Sequence, residues 1–131
     1  MLDGDGTVRY RTSAELLADL CADYVVEQGS IYSWIYRKWA NGVAECWGEP
    51  ARNVASSGTF LGANAYSTNF ALPSGLFVSV DSANANPRVG SNYAIPAYIY
   101  TTPTSVGVDA LSNESGTKDF SAYIFVRGRW K

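Results

Sequence analysis

Apolar and polar residues alternate with a period of two along most of this chain, and that period predicts strands. Tyr24-Val25-Val26 opens a strand that ends at Gly29. From Ile31 to Trp39, Tyr32, Trp34, Tyr36 and Lys38 fall on one face, and Ile31, Ser33, Ile35, Arg37 and Trp39 on the other. Asn41-Gly42 then reads as a two-residue type I′ hairpin turn. Such a turn fixes the register, placing Trp39 opposite Ala44, Lys38 opposite Glu45, Arg37 opposite Cys46 and Tyr36 opposite Trp47. Short strands are expected near Arg52–Ala55 and Ala65–Phe70, and a clear one at Leu76–Val80. Ser82–Pro87 reads as a turn-rich loop, followed by strands at Tyr93–Thr101 and Ser105–Leu111. Pro96 and Pro103 predict strand ends or a sheet edge, because proline cannot donate to a ladder. The last strand spans Phe120 to Trp130, with Phe120, Ala122, Ile124, Val126 and Trp130 on a core face and Tyr123, Phe125, Arg127 and Arg129 on the other. Many short strands separated by turns predict an all-β fold, an antiparallel β-sandwich over residues 23–131.

The pattern differs at the amino terminus. Residues 1–22 read as a linker or stem end containing a short helix at about 13–20. Thr12 and Glu15 have capping-box spacing. A helix of that length is marginal alone and must dock. Its leucines, Leu16 and Leu17 among them, face either the sheet of their own chain or the same leucines of two partner chains around a threefold axis.

Composition narrows the function. The 131 residues suit one domain, and 47% hydrophobic residues are enough for a core. Charged residues are only 17%, so the surface is built from Ser, Thr, Asn, Gly and Tyr. A net charge of −2 gives no electrostatic footprint for nucleic acid. No apolar stretch is long enough to cross a bilayer, and the opening MLDGDGTVRY is no signal peptide, so synthesis in the cytoplasm without membrane insertion is expected. The absence of histidine removes the usual catalytic triads, most zinc sites and the common general base. Asp3-Gly4-Asp5-Gly6 lacks the later ligands of a calcium loop. No cofactor and no metal are expected. Cys21 and Cys46 are numerous enough for one bridge, but reduced thiols are the expectation, with Cys46 a small buried hydrophobe.

Three segments, VRYRTSAELLADL at Val8–Leu20, DYVVEQG at Asp23–Gly29 and WIYRKWANGVAECWGE at Trp34–Glu49, together with the closing Gly128-Arg129-Trp130-Lys131, carry a resemblance. The chain resembles the carboxy-terminal tip region of tail-fibre and minor structural proteins from phages and prophages of Firmicutes and gut bacteria. NFALPSGLFVSVDS, Asn69–Ser82, is loosely similar to a strand of the H-type lectin-like sandwich. The resemblance implies a homotrimer carried in the virion, whose head attaches to bacterial surface polysaccharide or another host surface structure. No matched set of sugar-contacting residues transfers with it.

Aromatics make up 14% of the chain. Trp34, Trp39 and Trp47 belong to the hairpin signature and read as core or trimer seam. Tyr66, Tyr93 and Tyr98, with Asn64 and Asn92, lie near loops and are the candidates for binding a glycan, with core burial an equal alternative for the tyrosines. Leu16, Leu17, Tyr123 and Phe125 are the candidates for the trimer interface. Glu27, Glu45, Glu49, Asp81, Asp109, Glu114 and Asp119 form no evident catalytic pair, so no catalytic residue is assigned. Three functions are therefore weighed: a receptor-binding tip, a purely structural trimerisation or capping module, and, least, a polysaccharide hydrolase.

Overall fold

A computed structural model describes residues 23–131. Within them the chain is all-β and antiparallel, with no helix. The strands are β1 (Val25–Ile31), β2 (Trp34–Trp39), β3 (Val43–Gly48), β4 (Ala51–Ala55), β5 (Gly58–Phe60), β6 (Ala63–Ala71), β7 (Ser79–Val89), β8 (Asn92–Tyr93), β9 (Ile95–Thr102), β10 (Ser105–Ser112) and β11 (Thr117–Arg129). The larger sheet runs β1-β2-β3-β11-β7-β8, with β4 also paired to β11; the smaller runs β5-β6-β10-β9. The helix expected at about 13–20, with Leu16 and Leu17, lies outside the described residues, as does Cys21.

The two sheets face each other across one core, an arrangement consistent with the expected sandwich. From the larger sheet come Trp34, Ala44, Cys46, Ala85, Val89, Phe120, Ala122, Ile124 and Val126. From the smaller come Tyr66, Phe70, Val106, Val108 and Ala110. Phe70 and Phe120 meet with ring centroids 6.0 Å apart, and the Trp34 indole N–H donates to the Ala71 carbonyl at 2.9 Å, so both kinds of contact join the layers. The alternation of β11 is as the sequence predicts: Phe120, Ala122, Ile124 and Val126 are buried, and Tyr123 and Arg127 are exposed.

The hairpin register differs from the expected one. Lys38 faces Ala44, Arg37 faces Glu45, Tyr36 faces Cys46 and Ile35 faces Trp47. The loop has three residues rather than two. The Gly42 N–H closes a turn on the Trp39 carbonyl at 3.0 Å, and Gly42 alone adopts positive φ, +98°. This is the type I turn with a following bulge, whereas type I′ needs positive φ at Asn41 as well. Asn41 uses its side chain instead, accepting from the Val43 N–H at 2.9 Å. The one-residue slip has a packing reason. It puts Cys46 and Ala44 on the buried face with Trp34, and a slip would turn them to solvent. Lys38 finds its carboxylate on β1, 3.5 Å away at Glu27, while Glu45 accepts from the Trp39 indole N–H at 3.0 Å.

Two downstream expectations are also corrected. Of the strand expected at Leu76–Val80 only Ser79 and Val80 are strand, as the start of β7. Leu76 and Phe77 close a turn after β6 and are buried, while Val78 is 63% exposed. The apolar run reads as a strand only because a buried turn is apolar too. Ser82–Pro87 is the middle of β7 rather than a loop. Ala85 and Pro87 point inward, and Ser82, Asn84 and Asn86 point outward, so the alternation is present but written in small residues. Pro87 is tolerated because β8 pairs only with Arg88 and Val89, leaving β7 an edge at the proline. Pro96 lies in the edge strand β9 and Pro103 in the turn after it, as expected.

Cys46 is a free, fully buried thiol. Burial pushes its pKa from 9.0 up to about 12. A folded-state pKa above the unfolded one means the unfolded chain loses this proton first, so the stabilisation is complete below pH 9.0 and lost as pH rises towards about 12. Native protein at neutral pH is expected to leave Cys46 unlabelled by iodoacetamide, with labelling only after denaturation, as read by peptide mass spectrometry.

Candidate functional site

Four of the large exposed apolar side chains gather around the end of the sandwich where β5–β6, β8 and the start of β9 meet. Phe60 is 60% exposed, Leu61 85%, Tyr93 93% and Ile95 68%. A cleft of about 540 Å³ opens there between Leu61, Tyr93, Ile95 and Leu111, with Asn92, Ser112 and Asn113 as its polar lining. The local sequence explains the geometry. Phe60 faces Ala63 across a two-residue turn in which Leu61 has φ +53° and Gly62 φ +80°, the two positive angles of a type I′ turn. Glycine suits that position and leucine does not; a branched residue held there costs ~1–3 kcal/mol. With the Leu61 side chain in solvent, nothing within the described residues offsets the cost. β8 is only two residues long, the edge of the larger sheet beside β7, and leaves Tyr93 exposed just before the chain enters β9 of the smaller sheet.

The floor of the cleft is tied down by side chains. The Asn64 amide donates to the Glu114 carbonyl oxygen at 2.7 Å, and the Asn92 amide to the Glu114 carboxylate at 2.5 Å. Lys118 lies 3.5 Å from that carboxylate, and the Glu114 N–H donates to the Ser112 hydroxyl at 3.0 Å. Chemically the site offers aromatic and aliphatic faces beside amides, a hydroxyl and a paired carboxylate. That combination suits a ligand with one apolar face and several hydroxyls. Among the described residues no group of histidine, cysteine, aspartate or glutamate is arranged to hold a metal ion, and no helix is long and apolar enough to cross a membrane.

Of the residues singled out from the sequence, Asn92 and Tyr93 line the cleft, while Asn64 does not line it and instead holds the adjoining loop through the Glu114 carbonyl. Tyr66 is not at the surface. It is fully buried, and its hydroxyl donates to the Gly116 carbonyl at 2.9 Å, fastening the same loop from beneath. Tyr98 stands on the outer face of β9, 62% exposed and outside the cleft. Sequence reasoning missed Phe60, Leu61, Ile95 and Leu111. The signal for the first two was two large apolar residues beside a glycine in a stretch otherwise rich in Ser, Asn and Ala.

Tyr123 and Phe125 lie on the outer face of the larger sheet. Phe125 faces Trp47, which faces Ile35, so the three make an apolar row across β11, β3 and β2. Trp47 and Phe125 stack at 6.2 Å, Ile35 is 49% exposed and Tyr123 52%. The next row alternates in charge: Arg37 faces Glu45, and Glu45 faces Arg127. No known protein family, curated protein or solved structure matches the chain.

Proposed function

We propose that this domain is the receptor-binding tip of a phage tail fibre, a non-enzymatic homotrimer that attaches the virion to a bacterial surface glycan. The observation that carries the binding part is the end cleft, where exposed Tyr93, Leu61 and Ile95 stand beside Asn92 and Asn113. A strained, exposed leucine at a hairpin tip makes physical sense if a ligand covers it. The phage assignment rests on the hairpin and carboxy-terminal motifs. The test is a glycan array, then titration of the best binder. Tyr93→Ala is expected to weaken binding about tenfold, ~1.4 kcal/mol, without changing the melting temperature, since the ring is 93% exposed. An array with no binder, or a Tyr93→Ala protein of unchanged affinity, would sink the assignment of the cleft.

A second reading, a structural trimerisation module with no ligand of its own, is favoured by the outer face of the larger sheet. The Ile35–Trp47–Phe125 row leaves aromatic surface in water, and the neighbouring Arg37–Glu45–Arg127 row offers both charges to a second copy. In this reading, as in the first, Tyr123 and Phe125 lie in the subunit seam. Light scattering on the chain at micromolar concentration is expected to give three times 14.2 kDa, and Phe125→Asp to shift the species to the monomer. A wild-type monomer would remove the seam from both readings and leave the glycan cleft to stand alone.

A further inference from the structure

We infer that the outer face of the smaller sheet carries a second glycan subsite, an aromatic shelf formed by Tyr98 stacked with Tyr100 that continues the end cleft along β9; the inference rests on the glycan reading above. Tyr98 and Tyr100 project from the same side of β9, and their rings lie 5.6 Å apart at an interplanar angle of 26°. Tyr100 stands opposite Gly107. A Cβ at Gly107 would fall 2.0 Å from the Tyr100 ring, so the missing side chain is what lets the ring lie down on the strand. Covering Gly107 stabilises the sheet and accounts for Tyr100. It does not account for Tyr98, which stacks with Tyr100 and is still 62% exposed.

The neighbouring strands supply polar groups in register. Tyr98 faces Asp109, and Asp109 faces Ser67, whose hydroxyl donates to the Asp109 carboxylate. Gly107 faces Asn69, whose carbonyl accepts from the Arg52 guanidinium at 3.1 Å. Two stacked rings present one open aromatic face and not a cage, which argues against a quaternary ammonium ion, a ligand that aromatic rings enclose. A shelf instead matches the C–H face of a pyranose ring. The Asp109 carboxylate, with two acceptor oxygens, can take a pair of adjacent sugar hydroxyls. The strip carries one carboxylate, Asp109, and one guanidinium, Arg52, so it has no net charge and suits a neutral glycan.

The same face continues towards the cleft. Ile95 faces Leu111 in the next outward-facing row after Tyr98 and Asp109, and both residues line the cleft. From Ile95 at the cleft to Tyr100, β9 covers roughly 16 Å. That distance suits an extended oligosaccharide rather than a single sugar.

The test uses the isolated chain, with neutral glucan and N-acetylglucosamine oligomers as probes, each as disaccharide and hexasaccharide, followed by NMR titration. The hexasaccharide is expected to bind about tenfold tighter than the disaccharide and to shift the resonances of both Tyr93 and Tyr98. Tyr98→Ala and Asp109→Asn should each remove that length advantage while leaving disaccharide affinity and the melting temperature unchanged. If both variants bind hexasaccharide as wild type does while Tyr93→Ala loses binding, the shelf is wrong and the cleft stands. If Tyr98→Ala loses binding and Tyr93→Ala does not, the shelf stands and the cleft is wrong. If no probe perturbs either tyrosine at millimolar concentration, both fall.

Discussion

Phe120→Ala is expected to destabilise the domain by ~3–5 kcal/mol, the range for removing a fully buried aromatic ring. Phe120 has no exposed surface, lies at 6.0 Å from Phe70 of the opposite sheet, and sits where β11 pairs with β4 on one side and β7 on the other. Neither neighbour strand can slide to fill the space, because both are hydrogen-bonded to β11. Against a total stability of ~5–15 kcal/mol the loss is a large share. Urea denaturation followed by tryptophan fluorescence measures it. A shift below ~1 kcal/mol would mean that the two sheets do not pack across this ring as described.

Gly48→Ala is expected to cost about 3 kcal/mol, at the upper end for forcing extra atoms into a packed site. A Cβ at Gly48 would lie 2.0 Å from the Ser33 carbonyl oxygen and 3.3 Å from the Trp34 Cα. These are backbone atoms, so no rotamer change relieves the clash. The β1–β2 turn must move, and with it Trp34, whose indole bonds across the core to Ala71. The urea midpoint should fall without a change in slope, and the Trp34 Nε1 proton should lose its protection from exchange. Retention of both would show that the turn yields cheaply.

Much of the fold is legible where large and polar residues alternate. β11 announces its buried face through Phe120, Ile124 and Val126. β6 does the same: Tyr66, Thr68 and Phe70 are buried and Ser67 and Asn69 exposed, so the period of two already placed Tyr66 in the core with Phe70. The loops near Tyr66 do not override that phase. β7 was hidden because its inward positions are Ala83, Ala85 and Pro87, which carry little apolar contrast against Ser and Asn. In the β2–β3 hairpin, Asn41-Gly42 marks the turn but not its length. Only the burial of Cys46 with Trp34, a property of the assembled sheet, selects the three-residue loop. The cleft was legible in part. Asn92 and Tyr93 are adjacent in sequence, but Asn64 meets them only through Glu114, and Leu61 and Ile95 join them only because the chain passes from β8 of the larger sheet to β9 of the smaller.

The loop at 113–116 is held from three directions, by Asn64 and Tyr66 of β6 and by Asn92 of β8. Its conformational entropy is therefore surrendered during folding and not on encounter with a ligand. A ligand entering the cleft meets polar groups already in place, so its affinity is not reduced by the cost of ordering that loop. Association should then run as a single bimolecular step, linear in ligand concentration, with little rearrangement to slow the approach.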